Sequence, residues 1–202
     1  MRHELAYAVA GATCFAATWG LGLATREGRT FPFDVRAERL FYGRGKWLAW
    51  VFTVSGFGWT LCAIYVALYT LALTLHRTLF ELGALTLTQL VSQSSIPWVK
   101  GAFNRVRPLK WLIRHERHSS FPSGHATTAA VTFAGLALLI VRSSLPYDLK
   151  LALPVACVVF ALGIGWSRIV LGAHYLSDVC GGYAFGAAWL FALVAVLEAF
   201  GV

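Results

Sequence analysis

The sequence predicts an all-α polytopic membrane protein, a six-transmembrane-helix bundle, on three observations. Of its 202 residues, 58% are hydrophobic and only 13% are charged, too few polar side chains to coat a water-soluble globule. The charges gather between long apolar runs rather than within them. The runs are of the order of the ~20 residues that carry a helix across about 30 Å of hydrocarbon. A chain of this length is expected to form one domain, residues 1–202. The composition sets aside disorder and a disulfide-stapled secreted fold. Cys14, Cys62, Cys157 and Cys180 have no pairing or metal-ligand spacing and are expected as small buried apolar side chains.

The first apolar run, residues 5–24, is read as a membrane helix. Arg2 before it and Gly22-Leu23-Ala24 at its end also fit a signal peptide, although the run is long for that role. Residues 25–46 mix Arg26, Arg29, Arg36, Arg39 and Arg44 with Phe31, Phe33, Leu40, Phe41 and Tyr42. They read either as an interfacial helix, capped by Asp34 and ending near Gly43, or as a solvated connecting loop. Residues 47–75 form an uncharged run long enough to tilt. Residues 82–99 are shorter and more polar, with Gln89, Gln93 and Pro97. Residues 121–141 contain one ionisable group, His125; residues 151–167 end at Arg168; residues 179–197 follow Asp178. In the last run Gly182 and Gly186, four apart, would permit close helix contact.

Three polar clusters lie between these runs. Lys100-Gly-Ala-Phe-Asn-Arg-Val-Arg107-Pro108 sets two cations where the third span leaves the bilayer, as a lipid anchor or an anion site. Pro122-Ser123-Gly124-His125 opens the fourth span. Free backbone N–H groups, a glycine and a hydroxyl there can surround an anion; alternatively Ser123 only caps the helix and His125 is a satisfied first-turn residue. Ser167-Arg168 through His174 to Asp178 joins the last two spans. If that stretch is helical, His174 and Asp178 share a face at i,i+4. Asp178 can then accept the Nδ1–H of His174 and leave Nε2 as an unprotonated nucleophile, although a plain surface ion pair has the same spacing. Six sequential crossings bring all three clusters to one membrane face. Together they supply what metal-free phosphoryl transfer needs: neutralising cations, a nucleophile and an acid for the leaving oxygen.

The K-x6-R-P, P-S-G-H and S-R-x5-H-x3-D patterns, at Lys100 to Pro108, Pro122 to His125 and Ser167 to Asp178, resemble the signature of the type 2 phosphatidic acid phosphatase (PAP2) family. No signature position departs from it. The resemblance implies a six-helix membrane bundle and metal-independent hydrolysis of phosphate monoesters or pyrophosphates through a phosphohistidine. It implies His174 as nucleophile, Asp178 as its orienting partner and His125 as proton donor. It further implies Lys100, Arg107, Ser123, Gly124 and Arg168 as the phosphate-binding set, with no metal or other cofactor.

The expected partners are a lipid phosphate substrate and the bilayer, not nucleic acid; the basic excess of 17 Lys and Arg over 9 Asp and Glu suits lipid phosphate. Oligomeric state stays open. The substrate candidates are phosphatidylglycerol phosphate, phosphatidic acid, a polyprenyl pyrophosphate and a lipid A phosphate. Arg114 and Arg117 are candidates for a second anionic headgroup contact, or for ordinary attraction to anionic lipid. Alternatives are a phosphotransferase with an acceptor other than water and a noncatalytic lipid-binding or transport protein. A haloperoxidase-like oxyanion site is set aside by the apolar spans.

Localisation is expected in the cell (inner) membrane as a multi-pass protein. Two arguments on orientation conflict. Thirteen of the 17 Lys and Arg residues fall on the cluster-bearing face, which the positive-inside rule would place in the cytoplasm. Lys100, Arg107 and Arg168 have a separate explanation in the site, however, and the resemblance favours an extracytoplasmic site.

Overall fold

The computed structural model describes residues 2–74, 79–110, 112 and 118–201, with side chains from residue 5 onward. Arg114 and Arg117 lie outside the described residues. The described residues are helical or irregular, with no strand. The helices are α1 (Arg2–Ala24), α2 (Pro32–Phe41), α3 (Lys46–Ser55), α4 (Gly58–Thr74), α5 (Phe80–Phe103), α6 (Gly124–Ala129), α7 (Gly135–Arg142), α8 (Tyr147–Val170) and α9 (Leu176–Ala199). A π-helical turn, Ala130–Ala134, joins α6 to α7, so the two run as one span, Gly124–Arg142.

Four helical segments are long and apolar enough to cross a membrane: Leu5–Ala24, Gly124–Arg142, Tyr147–Val170 and Leu176–Ala199. The α3–α4 pair makes a fifth if counted as one broken span. The expected single tilted helix over residues 47–75 is therefore corrected: the chain bends by 57° between Ser55 and Gly58. Polar side chains meet the backbone oxygens around the break. Thr60 Oγ1 donates to the Val54 carbonyl at 2.6 Å and Ser55 Oγ to that of Phe52 at 2.7 Å. Gly56 packs at the bend, where a Cβ would stand 3.0 Å from His125 Cδ2 and 3.2 Å from Ile164 Cγ2.

Helix α9 packs against α1, α5 and α6, while α8 packs against α3, α6 and α7. The α6–α9 contact is close because Gly182 and Gly186 face it: a Cβ at Gly182 would lie 2.5 Å from the Ser123 carbonyl oxygen. The apolar core gathers in patches along these contacts, including Leu85, Val131, Leu193 and Leu197 in one and Ile96, Phe103, Phe121 and Phe185 in another. The outer surface is apolar as well, with Trp59, Leu71, Leu87, Trp98, Leu151 and Val155 exposed. Such a surface suits lipid rather than water. The protein is a multi-pass membrane protein. The four cysteines are free, but Cys62 and Cys180 are exposed and Cys14 and Cys157 half-buried. This corrects the expectation of buried thiols, because in an apolar bundle a small apolar side chain is as well placed on the lipid face as in the core.

Residues 25–46 contain a helix, α2, rather than only a connecting loop. Asp34 and Ala37 are buried while Phe33, Val35, Leu40 and Phe41 are exposed. The expected cap is corrected: Phe31 is the N-cap, and Asp34, at the third helical position, reaches back so that its Oδ2 accepts from the Phe31 N–H at 3.0 Å.

Candidate active site

The three polar clusters meet where α5 ends, α6 begins and the α8–α9 turn passes between them. A cavity of about 550 Å³ opens there, lined among others by Lys100, Asn104, Ser119, Gly124, His125 and His174. Lys100 sits in the last turn of α5, which stops at Asn104 with a left-handed φ of 45°. The chain then returns through residues 118–122, whose Phe121–Pro122 peptide is cis. The Ser119 carbonyl accepts from Lys100 Nζ at 2.9 Å, and the His118 carbonyl accepts from Arg107 Nε at 2.8 Å. Two cations are thereby aimed by carbonyls of one loop.

Ser123 is the N-cap of α6, with Oγ 3.5 Å from the Ala126 N–H, and its own N–H donates to the Asp178 carbonyl at 3.0 Å. His125, one residue into the helix, faces the cavity with Phe57 edge-on at 5.5 Å between ring centroids. Among the described residues its buried Nε2 has no protein partner. Lys100, Arg107, Arg168 and His174 are all close enough to act on it electrostatically. Arg168, on the last turn of α8, is 1% exposed and donates to Thr53 Oγ1 at 3.1 Å.

His174 is not helical, which corrects the expected i,i+4 helix face. Helix α8 ends at Val170 and turns through Gly172, whose φ of 70° is left-handed and whose missing Cβ leaves room for the Lys110 carbonyl. His174 thus precedes the N-cap of α9, with Asp178 in that helix's first turn. The pair meets all the same: His174 Nδ1 lies 3.5 Å from Asp178 Oδ2. Arg107 Nη1 lies 3.2 Å from His174 Nε2. A guanidinium can only donate, so Nε2 is the accepting nitrogen and the ring proton belongs on Nδ1, facing Asp178.

Sequence reasoning missed Arg105 and the full role of Asp34. Both side chains are wholly buried. Arg105 donates to Asp178 Oδ1 at 2.5 Å, Ser177 Oγ at 2.7 Å, the Arg29 carbonyl at 2.9 Å and Asp34 Oδ2 at 3.2 Å. Its guanidinium also covers the Tyr175 ring at 4.4 Å. Asp34 in turn accepts from Ser177 through Oδ1 and Oδ2 at 2.7 and 2.8 Å. Helix α2 is thereby pinned to the start of α9, next to the turn that carries His174. In the sequence Arg105 is one more cation at a membrane edge; the only signal was a third basic residue between Lys100 and Pro108.

A family model described as the PAP2 superfamily matches residues 77–201. The chain belongs to the PAP2 superfamily. Curated PAP2 relatives match it over shorter stretches. A lipid A 1-phosphatase of Rhizobium johnstonii is 42% identical over 85 residues, 42% of this chain and 30% of that protein. A phosphatidylglycerophosphatase B of Bacillus subtilis is 37% identical over 91 residues, 44% of each chain. The matched stretches thus span less than half the length of these relatives. Among solved structures, a transmembrane PAP2-type phosphatidylglycerolphosphate phosphatase from Bacillus subtilis superposes with a TM-score of 0.75 at 24% identity, over 94% of this chain and 96% of that one. That likeness extends the PAP2 fold over nearly the whole chain.

Proposed function

We propose that this PAP2 protein is a metal-independent lipid phosphatase in which His174 is the nucleophile. The observation that carries this reading is the Arg107–His174–Asp178 arrangement, with Nε2 turned to the cation and Nδ1 to the carboxylate, beside the cavity that also holds Lys100 and His125. The names of the curated relatives support a phosphorylated lipid as substrate. The chain forms one domain with six spans, counting α3–α4 as one and adding α5, whose 24 residues reach about 36 Å.

In the first step Arg107 Nη1 redirects its N–H from His174 Nε2 to a phosphoryl oxygen, the freed Nε2 lone pair attacks phosphorus, the bond from phosphorus to the lipid oxygen breaks, and His125 gives that oxygen a proton. Asp178 stabilises the imidazole as it gains positive character. Lys100, Arg107 and Arg168, with Ser123 and the Gly124 N–H, hold the phosphoryl oxygens. In the second step His125 takes a proton from water, the water oxygen bonds to phosphorus, and the N–P bond breaks to release phosphate. The lipid chain is held by a second cavity of about 410 Å³, lined by Gly56, Phe57, Leu61, Cys62, Tyr65 and Leu90 and sharing Gln93, Gly124 and His125 with the first.

The test is phosphate release by purified protein in detergent with EDTA, across the four candidate lipids, beside His174→Ala. Release that disappears in the variant is expected. Release equally fast in the variant, or none from any lipid by folded wild type, would overturn the reading; the second result would favour a lipid-binding protein or an acceptor-dependent transferase. We place the site on the extracytoplasmic side of the cell membrane, so a reporter fused to the C-terminus should report from the cytoplasm.

A further inference from the structure

Helix α5 turns to the site a stripe of side chains that is polar except for Ile96. Gln89, Gln93, Ile96 and Lys100 follow at i, i+4, i+7 and i+11, the spacing of one helix face. Lys100 ends the stripe at the phosphate cavity. Gln89, farthest from it, is accounted for within the bundle: its Nε2 lies 3.5 Å from Thr128 Oγ1 and its Oε1 accepts from Thr132 Oγ1 at 3.2 Å. Gln93 is different. Among the described residues its buried Nε2 has no hydrogen-bond partner. It lines both the phosphate cavity and the apolar cavity and stands at their junction with Gly124 and His125.

A buried amide donor without an acceptor has given up its hydrogen bond to water with nothing in return. What fills the junction should therefore bring an acceptor to it. Seven residues separate Gln93 from Lys100, which at 1.5 Å per residue sets it about 10 Å deeper along the helix axis. A lipid whose phosphate is held at Lys100 would bring the junction of its headgroup and its hydrocarbon toward that depth. An acylated lipid presents ester or amide carbonyl oxygens at this boundary. A polyprenyl phosphate presents hydrocarbon with no acceptor.

We propose that Gln93 donates to an acyl carbonyl of the substrate and so selects acylated lipid phosphates over polyprenyl ones. The proposal rests on the phosphatase reading for its substrate but not for its measurement. Glycerolipids and acylated sugar phosphates share the carbonyl chemistry, so both belong in the test.

The test measures binding to the His174→Ala protein, which does not depend on turnover. The ligands are dioleoyl phosphatidic acid, its dialkyl ether analogue without carbonyls, an acylated lipid A 1-phosphate and a polyprenyl monophosphate. With Gln93 in place the ester is expected to bind five- to tenfold more tightly than the ether, the value of one buried hydrogen bond. Adding Gln93→Leu should bring ester and ether within twofold and leave the polyprenyl phosphate unchanged. If lipid A shows the larger loss on Gln93→Leu, the acylated sugar is the source of the carbonyl; if phosphatidic acid does, the glycerolipid is. Equal binding of ester and ether with Gln93 present would overturn the proposal, whether or not Gln93→Leu folds. Equal weakening of all four ligands by Gln93→Leu would overturn it too. Phosphate release by wild type on the same lipids reports separately: an ester preference without turnover would end the phosphatase reading and leave the carbonyl contact standing.

Discussion

Replacing Asp34 by Asn tests whether the buried clamp beneath the site holds the fold together. Four donors converge on that carboxylate: the Phe31 N–H at 3.0 Å, the Ser177 N–H at 2.7 Å, the Ser177 hydroxyl at 2.8 Å and Arg105 Nη2 at 3.2 Å. An asparagine offers one accepting oxygen, and its NH2 would be turned against donors. Oδ2 accepts three of the four donors and Oδ1 one, so the better orientation of the amide leaves the Ser177 N–H unpartnered, at about 1–3 kcal/mol. Breaking a buried ion pair costs about 3–5 kcal/mol. Against this, Arg105 keeps Asp178, and the trio loses one of its two negative charges, so we take the low end, about 3 kcal/mol. For a domain of this size that lowers Tm by roughly 6–12 °C. The assay is thermal unfolding in detergent, followed by tryptophan fluorescence, with Arg142→Gln as control. That variant breaks the Arg142–Glu198 pair, whose side chains are 27% and 36% exposed, and should cost less than about 1 kcal/mol. A Tm for Asp34→Asn within 2 °C of wild type, or no larger a shift than the control, would refute the reasoning.

Asp178→Asn should lose both rate and stability, because the same carboxylate faces His174 Nδ1, pairs with Arg105 and caps Tyr175 N–H at 2.9 Å; single-turnover kinetics and thermal unfolding separate the two losses. Gly182→Ala should destabilise by about 1–3 kcal/mol and slow turnover, since its Cβ would press on the Ser123 carbonyl at 2.5 Å and the Ala126 Cβ at 2.8 Å and so displace the P-S-G-H turn. Gly56→Ala should slow turnover with a smaller stability change, its Cβ standing 3.0 Å from His125 Cδ2; kcat and Tm measured together check it.

What the sequence made legible was what repeats locally: apolar runs and short polar patterns. Helices α5 to α9 lie close to the apolar runs that announce them, and Lys100, His125 and His174 do line one cavity. What it hid depends on residues distant in the chain. Arg105 and Asp34 are 71 positions apart, and nothing in either neighbourhood distinguishes them from headgroup-facing charges until the fold buries both. The break at Gly56 was also hidden, because glycines recur in membrane helices and an uncharged run gives no sign of where it bends. The His174–Asp178 contact was expected from helical spacing, yet it arises from a turn and a helix start, an arrangement the same spacing allows.

The central claim is that phosphoryl passes through His174. A rapid-quench experiment with radiolabelled lipid phosphate, in EDTA, tests it most directly. We expect label bound to the protein before phosphate is released, stable to base and labile to acid, mapping to the peptide that holds His174 and absent in His174→Ala. Full turnover with no protein-bound label at any time, or label and turnover that persist in His174→Ala, would contradict the account.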